Sequence, residues 1–326
     1  MKKILIWLLI LAAMVQLAGC SQESKETVVI YISSEEYRVE AFKTQLEEHF
    51  PDYNIQMEYM PSGTHATKLL AEGEQTNCDI SFEMEYGNAE KLLHLYADLS
   101  DYDTSKFAED AVSPSGKLLP VIRNGGCIAI NTKVLEEKGL DKPTCYEDLL
   151  DPKYQGLISM ADPSTSGTGY TFLKSLVNAW GEEEAFAYFK SLKNNIKQFT
   201  SSGSGPVNQL VMGEAAIGLA LTSQAVLEIN NGVDLEILFF EEGSPYTIYG
   251  MAMIEGKQDR ACVREVFDYL NDTLVEIDKQ TFFPEKIYKD KDFYVENYPE
   301  NIPYSDMSNN TGAEKERLLE KWKNEI

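Results

Sequence analysis

The chain is poor in the residues that hold metals. His49, His65 and His94 are its only histidines, and no Cys-x-x-Cys pair occurs. A zinc site draws on closely spaced Cys or His, so no metal site and no cofactor is expected. Positive charge is scarce too: 29 Lys and Arg stand against 53 Asp and Glu, a net charge of −24. That balance argues against nucleic acid and anionic membrane surfaces as partners. There is no Gly-x-Ser-x-Gly elbow, and no histidine has a recognisable nucleophile beside it. The chain is therefore not expected to be an enzyme, a secreted hydrolase being the alternative. Beyond residue 20 no long apolar run remains, so nothing there is expected to span a bilayer.

The opening residues are different. Lys2 and Lys3 precede an almost wholly apolar stretch from Ile4 to Leu17, which ends in Ala18-Gly19-Cys20. This is the layout of a secretory signal. The run is shorter than the roughly 20 residues of a membrane anchor, which is the alternative reading. The ending resembles the lipobox of bacterial lipoproteins. That resemblance implies removal of residues 1–19, a lipid on Cys20, and residues 20–26 as a polar tether. The chain would then work outside the cytoplasmic membrane, on a Gram-positive surface or in a periplasm, touching the membrane only through its lipid. Of the other cysteines, Cys78, Cys127, Cys145 and Cys262 allow three disulfide pairings, or four free thiols.

Apolar periodicity then sets out an α/β chain. Thr27–Ile32 reads as a buried strand. Val39, Phe42, Leu46 and Phe50 recur at helical spacing up to Pro51. Ile55–Met60 reads as a strand, Ala66–Ala71 as a short helix and Asp79–Phe82 as a third strand. Such a βαβαβ order implies a parallel sheet. Further strands are expected at Ile128–Ile130, Gly156–Met160, Phe199–Thr200, Ala216–Leu221, Leu235–Phe240 and Met251–Ile254. Helices are expected at Tyr170–Val177, Glu182–Leu192, Val207–Met212, Ala261–Leu270 and Glu314–Asn324.

The segment with most chemistry is Asp162-Pro-Ser-Thr-Ser-Gly-Thr-Gly169, between a strand and a helix. Unsatisfied N–H groups and the macrodipole make a helix start attractive to anions. Ser164, Thr165, Ser166 and Thr168 add hydroxyls beside Gly167. Simple capping and turn formation would explain the same residues. The pattern recurs, however. Ser33-Ser34, Ser62-Gly63-Thr64, Ser201-Ser202-Gly203 and Thr222-Ser223 each follow an expected strand. Ligands of open α/β sheets bind at the carboxyl ends of strands, so these ends together predict one crevice lined with neutral donors.

With these segments in view, the chain resembles the solute-binding proteins of ABC importers. More narrowly, it is similar to the group containing ferric-ion, organophosphonate and sugar-phosphate binders, near the polyamine binders. Asp162–Thr168 carries the resemblance best, supported by Ser201-Ser-Gly-Ser-Gly-Pro206, Gly213-Glu-Ala-Ala-Ile-Gly218, Glu242-Gly-Ser-Pro245 and the closing Leu-Glu-Lys-Trp322 helix. The resemblance implies a two-lobed periplasmic-binding-protein-like fold of type II, with parallel-rich sheets, helices on both faces and a cleft at the hinge. Residues 27–120 plus 251–326 would form lobe 1, and 121–250 lobe 2. It further implies a monomer that captures a small ligand and delivers it to ABC permease subunits; a surface sensor or adhesin is the alternative of another class.

Ferric binders of this group commonly use adjacent tyrosines, and this sequence has no Tyr-Tyr. Serine hydroxyls suit a preformed anion better, so an organophosphonate or phosphate ester is expected. Ferric iron or a polyamine is the alternative. Anion oxygens are expected on Ser33, Ser34, Thr165, Ser166, Gly167, Thr168 and Ser202. Ser62, Thr64, Ser164, Ser201, Gly203 and Thr222 are further lining candidates. Glu83 and Glu85, expected on one face of a continued strand, would serve an amino group. Glu35 and Glu36 follow the first strand in the same way. Arg123 is either a cleft cation or a hinge salt bridge, and Tyr246 and Tyr249 are candidate cleft walls.

Overall fold

The computed structural model describes residues 25–326. The signal segment, Cys20 and most of the tether lie outside the described residues. Among the described residues, nine strands join in one curled sheet of order β2-β1-β3-β9-β4-β7-β5-β6, with β8 also paired to β4. The first part is the expected βαβαβ unit. Strand β1 (Glu26–Ile32) leads to helix α1 (Glu36–His49), β2 (Tyr53–Tyr59), α2 (Ser62–Glu72) and β3 (Ile80–Glu85). Strand β1 lies parallel between β2 and β3. Its alternating side chains feed two layers. Val28, Ile30 and Ile32 pack with Phe42 and Leu46 of α1, while Tyr31 faces Leu69 of α2.

Strand β4 (Leu119–Asn131) is far longer than the Ile128–Ile130 expected. Its first half pairs antiparallel with β9 (Tyr246–Met253) and its second half with β7 (Ile217–Leu221) and β8 (Leu235–Leu238). Pro120 and the glycine pair Gly125-Gly126 hid this strand in the sequence, because both residue types weaken a strand signal. Around its second half, β5 (Ile158–Ala161) runs parallel to both β6 (Ile196–Thr200) and β7. Ile128 and Ile130 enter one core with Phe172 and Leu176, and Cys127 and Ala129 enter another with Val207 and Leu210. Both halves of the sheet thus carry helices on both faces.

After β9 the chain returns to the first half through the helix Ala261–Tyr269, which places Val263 and Phe267 under β1. The last helix, Gly312–Glu325, departs from the expectation that all of 251–326 sits with the first lobe. Its Leu318 and Trp322 pack in the second core, against Phe189. Its first turn reaches the other way: Lys315 pairs with buried Glu85, and Glu90 accepts from the Gly312 N–H. Leu318 and Trp322, one turn apart on one face, find an apolar partner only on the second core. Cys78, Cys127, Cys145 and Cys262 are all free thiols. No described helix is long and apolar enough to cross a membrane.

Candidate functional site

Where the two halves of the sheet meet, the strand ends surround a small, partly open cavity. Five helix starts point into it. These belong to α1, α2, and the helices Gly167–Trp180, Gly205–Val211 and Thr222–Asn230. Their N-cap residues Glu35, Pro61, Ser166, Ser204 and Leu221 all line the cavity. Four of the five have no side-chain cap, and the fifth, Ser166 Oγ, accepts only a long 3.5 Å bond from the Gly169 N–H. Uncapped first turns leave N–H groups free beside the positive ends of the macrodipoles, least so in the Gly205 helix, where the Gly205 N–H donates to the Ser202 carbonyl and Pro206 has no N–H. The lining contains no Lys or Arg. Positive potential here comes from backbone.

Of the residues singled out in the sequence, Ser33, Ser62, Glu83, Ser166, Gly167, Thr168, Ser202, Gly203 and Tyr249 line this cavity. The helix expected from Tyr170 begins at Gly167, so Gly167 and Thr168 sit in its first turn. Two glycines permit close approaches. A Cβ on Gly167 would stand 2.7 Å from the Tyr249 hydroxyl, and one on Gly203 would stand 2.3 Å from Thr168 Oγ1. Burial pushes the Tyr249 phenol well above its ordinary range, which keeps it a neutral donor.

Other expected residues stand elsewhere, for local reasons. Ser34 lies behind the wall, where its hydroxyl donates to Glu83. Thr64 and Thr165 are exposed on the outer side of the same turns, and Ser164 and Thr165 border a separate recess beside Lys315. Ser201 is exposed, and Thr222 is fully buried under its own helix turn. Tyr246 packs against Tyr304 and the Arg123 guanidinium instead of the cavity. Arg123 itself pairs with Asp110 at 2.5 Å and donates to the Lys286 carbonyl at 3.1 Å. It is a tie at the crossing strand, with no reach into the cavity.

The pairing of Glu83 and Glu85 on one strand face also differs. Glu83 adopts a left-handed backbone, φ 57°, where β3 and β9 shift register. A non-glycine residue in that region is strained. The turn sends Glu83 into the cavity wall and leaves Glu85 to cap the following helix, accepting from the Gly87 and Asn88 N–H groups. Behind Glu83 lies Arg38, fully buried, its guanidinium over the ring of Phe283 at 4.4 Å. Arg38 donates to both oxygens of Glu83 (2.6 and 2.8 Å), to Asp278 (2.9 and 2.6 Å) and to Glu35 (2.9 Å). One cation thus serves three carboxylates. Burial raises Glu83 to about 7, against the lowering effect of Arg38.

Glu35, Tyr59, Pro61, Asn124, Ser204 and Leu221 complete the lining. Of these, Glu35 carried a sequence signal by following a strand end, and Ser204 by lying in Ser201-Ser-Gly-Ser-Gly-Pro206. Pro61 and Leu221 have no polar side chain and belong to the site through backbone position alone. Among the described residues, no group of three His, Cys, Asp or Glu is placed to hold a metal ion.

Known proteins share this architecture. An uncharacterized protein of Haemophilus influenzae is 30% identical over 259 residues, covering 77% of this chain and 74% of that protein. The phosphoglycerate transport regulatory protein PgtC of Salmonella typhimurium is 25% identical over 142 residues, 41% of this chain and only 36% of PgtC. The structure of the periplasmic binding protein AfuA from Actinobacillus pleuropneumoniae, with fructose-6-phosphate bound, superimposes with a TM-score of 0.79 at 27% identity. That match covers 93% of this chain and 99% of AfuA. The fold is the two-lobed type II arrangement of periplasmic binding proteins. The family model for bacterial extracellular solute-binding proteins matches residues 92–309, and the chain belongs to that family.

Proposed function

We propose that this protein captures a small phosphorylated solute outside the cytoplasmic membrane and delivers it to an ABC permease. The observation that carries the reading is the convergence of five helix starts, four of them uncapped, on one cavity that contains no cationic side chain. A phosphate or phosphonate group presents several acceptor oxygens and no donors when ionised. Backbone N–H groups and the hydroxyls of Ser33, Ser166, Thr168 and Ser202 complement it. In an enclosed cleft such donors act at low effective dielectric, little affected by the acidic surface. Glu35 and Glu83 offer acceptors to hydroxyl or amino groups elsewhere on the same solute. AfuA with its fructose-6-phosphate, and the phosphoglycerate in the name of PgtC, add weight to this ligand class.

In this reading, residues 27–120 with the chain after 251 form one lobe and residues 121–250 the other, the last helix spanning both. Ligand capture closes the two about the crossing strands. Cys20 carries the lipid that keeps the receptor near its permease.

The test is a thermal-shift panel on the purified protein with fructose 6-phosphate, 3-phosphoglycerate, 2-aminoethylphosphonate, inorganic phosphate, Fe³⁺ and spermidine. Binding to the folded state alone raises stability by about 2.7 kcal/mol at a hundredfold excess over Kd. A clear rise is expected with at least one organophosphorus compound. Stabilisation by Fe³⁺ or spermidine alone would overturn the reading.

A further inference from the structure

A line of polar side chains runs inward from the cavity at Ser33. Ser33 Oγ lies 2.8 Å from His65 Nδ1. His65 Nε2 lies 3.2 Å from Ser81 Oγ, which lies 3.2 Å from the Tyr96 hydroxyl. His65, Ser81 and Tyr96 are fully buried, and only Ser33 reaches the cavity. The Tyr31 ring meets the imidazole edge-on at 5.9 Å between centroids. Burial, assisted by nearby Lys68, pulls His65 down to about 3, so the imidazole is neutral and carries one proton.

The direction of this line follows from counting protons. Among the described residues, the Tyr96 hydroxyl has no polar partner but Ser81, and Ser81 Oγ has none but Tyr96 and His65. Suppose the imidazole proton sat on Nε2 and were given to Ser81. Either Ser81 would donate to Tyr96 and strand the Tyr96 proton, or Tyr96 would donate to Ser81 and strand the Ser81 proton. A buried unpaired donor is costly. The opposite direction strands none: Tyr96 donates to Ser81, Ser81 donates to Nε2, and Nδ1–H donates to Ser33 Oγ. The Ser33 hydroxyl proton is then left for the cavity.

We propose that His65 is a positioning residue: held as the Nδ1–H tautomer, it makes Ser33 a hydrogen-bond donor to an oxyanion of the bound solute. The inference rests on the phosphorylated-ligand reading for the identity of that oxyanion. The reversed tautomer would leave Ser33 as an acceptor and turn this corner of the site toward ammonium or hydroxyl groups.

Two measurements test it. Long-range ¹H–¹⁵N correlation spectra of the ligand-free protein, with His65 assigned by the signal missing in His65→Asn, should show the Nδ1–H pattern. The Nε2–H pattern would overturn the proposal whatever the ligand. Calorimetric titration with fructose 6-phosphate supplies the second readout. His65→Ala should weaken binding about tenfold, the scale of one hydrogen bond to a charged group. His65→Asn, whose amide occupies the Nδ1 position, should recover most of that loss. His65→Gln, whose amide reaches the Nε2 position, should not. Equal affinities for the Asn and Gln variants would overturn the proposal. Failure of the wild-type protein to bind any phosphorylated compound would instead remove the ligand reading, and the tautomer would still decide the direction of the line.

Discussion

The two walls of the cavity are made of different material. One wall, Ser166–Thr168 with Ser202–Ser204, is built from helix starts and small residues, and its donors are backbone N–H groups and hydroxyls. The opposite wall presents Glu35 and Glu83, held from behind by one buried arginine that also serves Asp278. The first is fixed by where strands end and helices begin. The second depends on a few side chains drawn from distant parts of the chain. The donor wall should therefore tolerate loss of a side chain and resist intrusion of one. The charged wall should collapse when its cation is removed.

The largest effect is expected from Arg38→Met. It leaves three carboxylates facing one another without their shared partner, and breaking a buried pair by removing one member costs about 3–5 kcal/mol. Urea unfolding at pH 7 measures it, and a loss below about 1 kcal/mol would show that the cluster does not depend on its arginine.

Next is a pH effect of definite sign. Glu83 in the folded protein is raised to about 7, above the value of roughly 4.3 for an unfolded glutamate. Between these values the folded state holds the extra proton. The contribution of Glu83 to stability is thus fully present below the unfolded value and is lost as pH rises through about 7. Unfolding curves at pH 5 and pH 8 should show a decline that Glu83→Gln makes smaller. An unchanged decline would place the titration on another group.

The smallest effects belong to the donor wall. Ser202→Ala should weaken binding of a phosphorylated ligand by only about threefold, the lower range of one neutral hydrogen bond. Gly167→Ala should cost more, about tenfold, because its methyl displaces the Tyr249 hydroxyl. The reverse order would mean that hydroxyls, not backbone, carry that wall.

The same contrast explains what was legible beforehand. The βαβαβ start and the Ser-, Thr- and Gly-rich strand ends could be read directly, since turn chemistry and apolar periodicity are local signals. Those ends drew out Ser166, Gly167, Thr168 and Ser202, which line the cavity. The hydroxyls mark turns that border the cavity, while several of them, such as Thr64, Thr165 and Ser201, are exposed. Pro61 and Leu221 gave no signal, because a backbone N–H leaves no mark in a side-chain alphabet. Arg38 reads as an ordinary polar position of an amphipathic helix. Its partners Glu83 and Asp278 are 45 and 240 residues away, and only tertiary packing brings them together. The left-handed turn at Glu83 likewise breaks a strand alternation that local sequence supports.

The closing helix, Gly312–Glu325, has a mechanical consequence. It is rooted by Leu318 and Trp322 in one core and hooked by Lys315 onto Glu85 beside the other. It ties the two cores together from outside the cavity, along the recess bordered by Ser164 and Thr165. Any swing that parted the two cores would have to break the buried Lys315–Glu85 pair and the Gly312–Glu90 hydrogen bond, a cost set by the helix and independent of what fills the cavity.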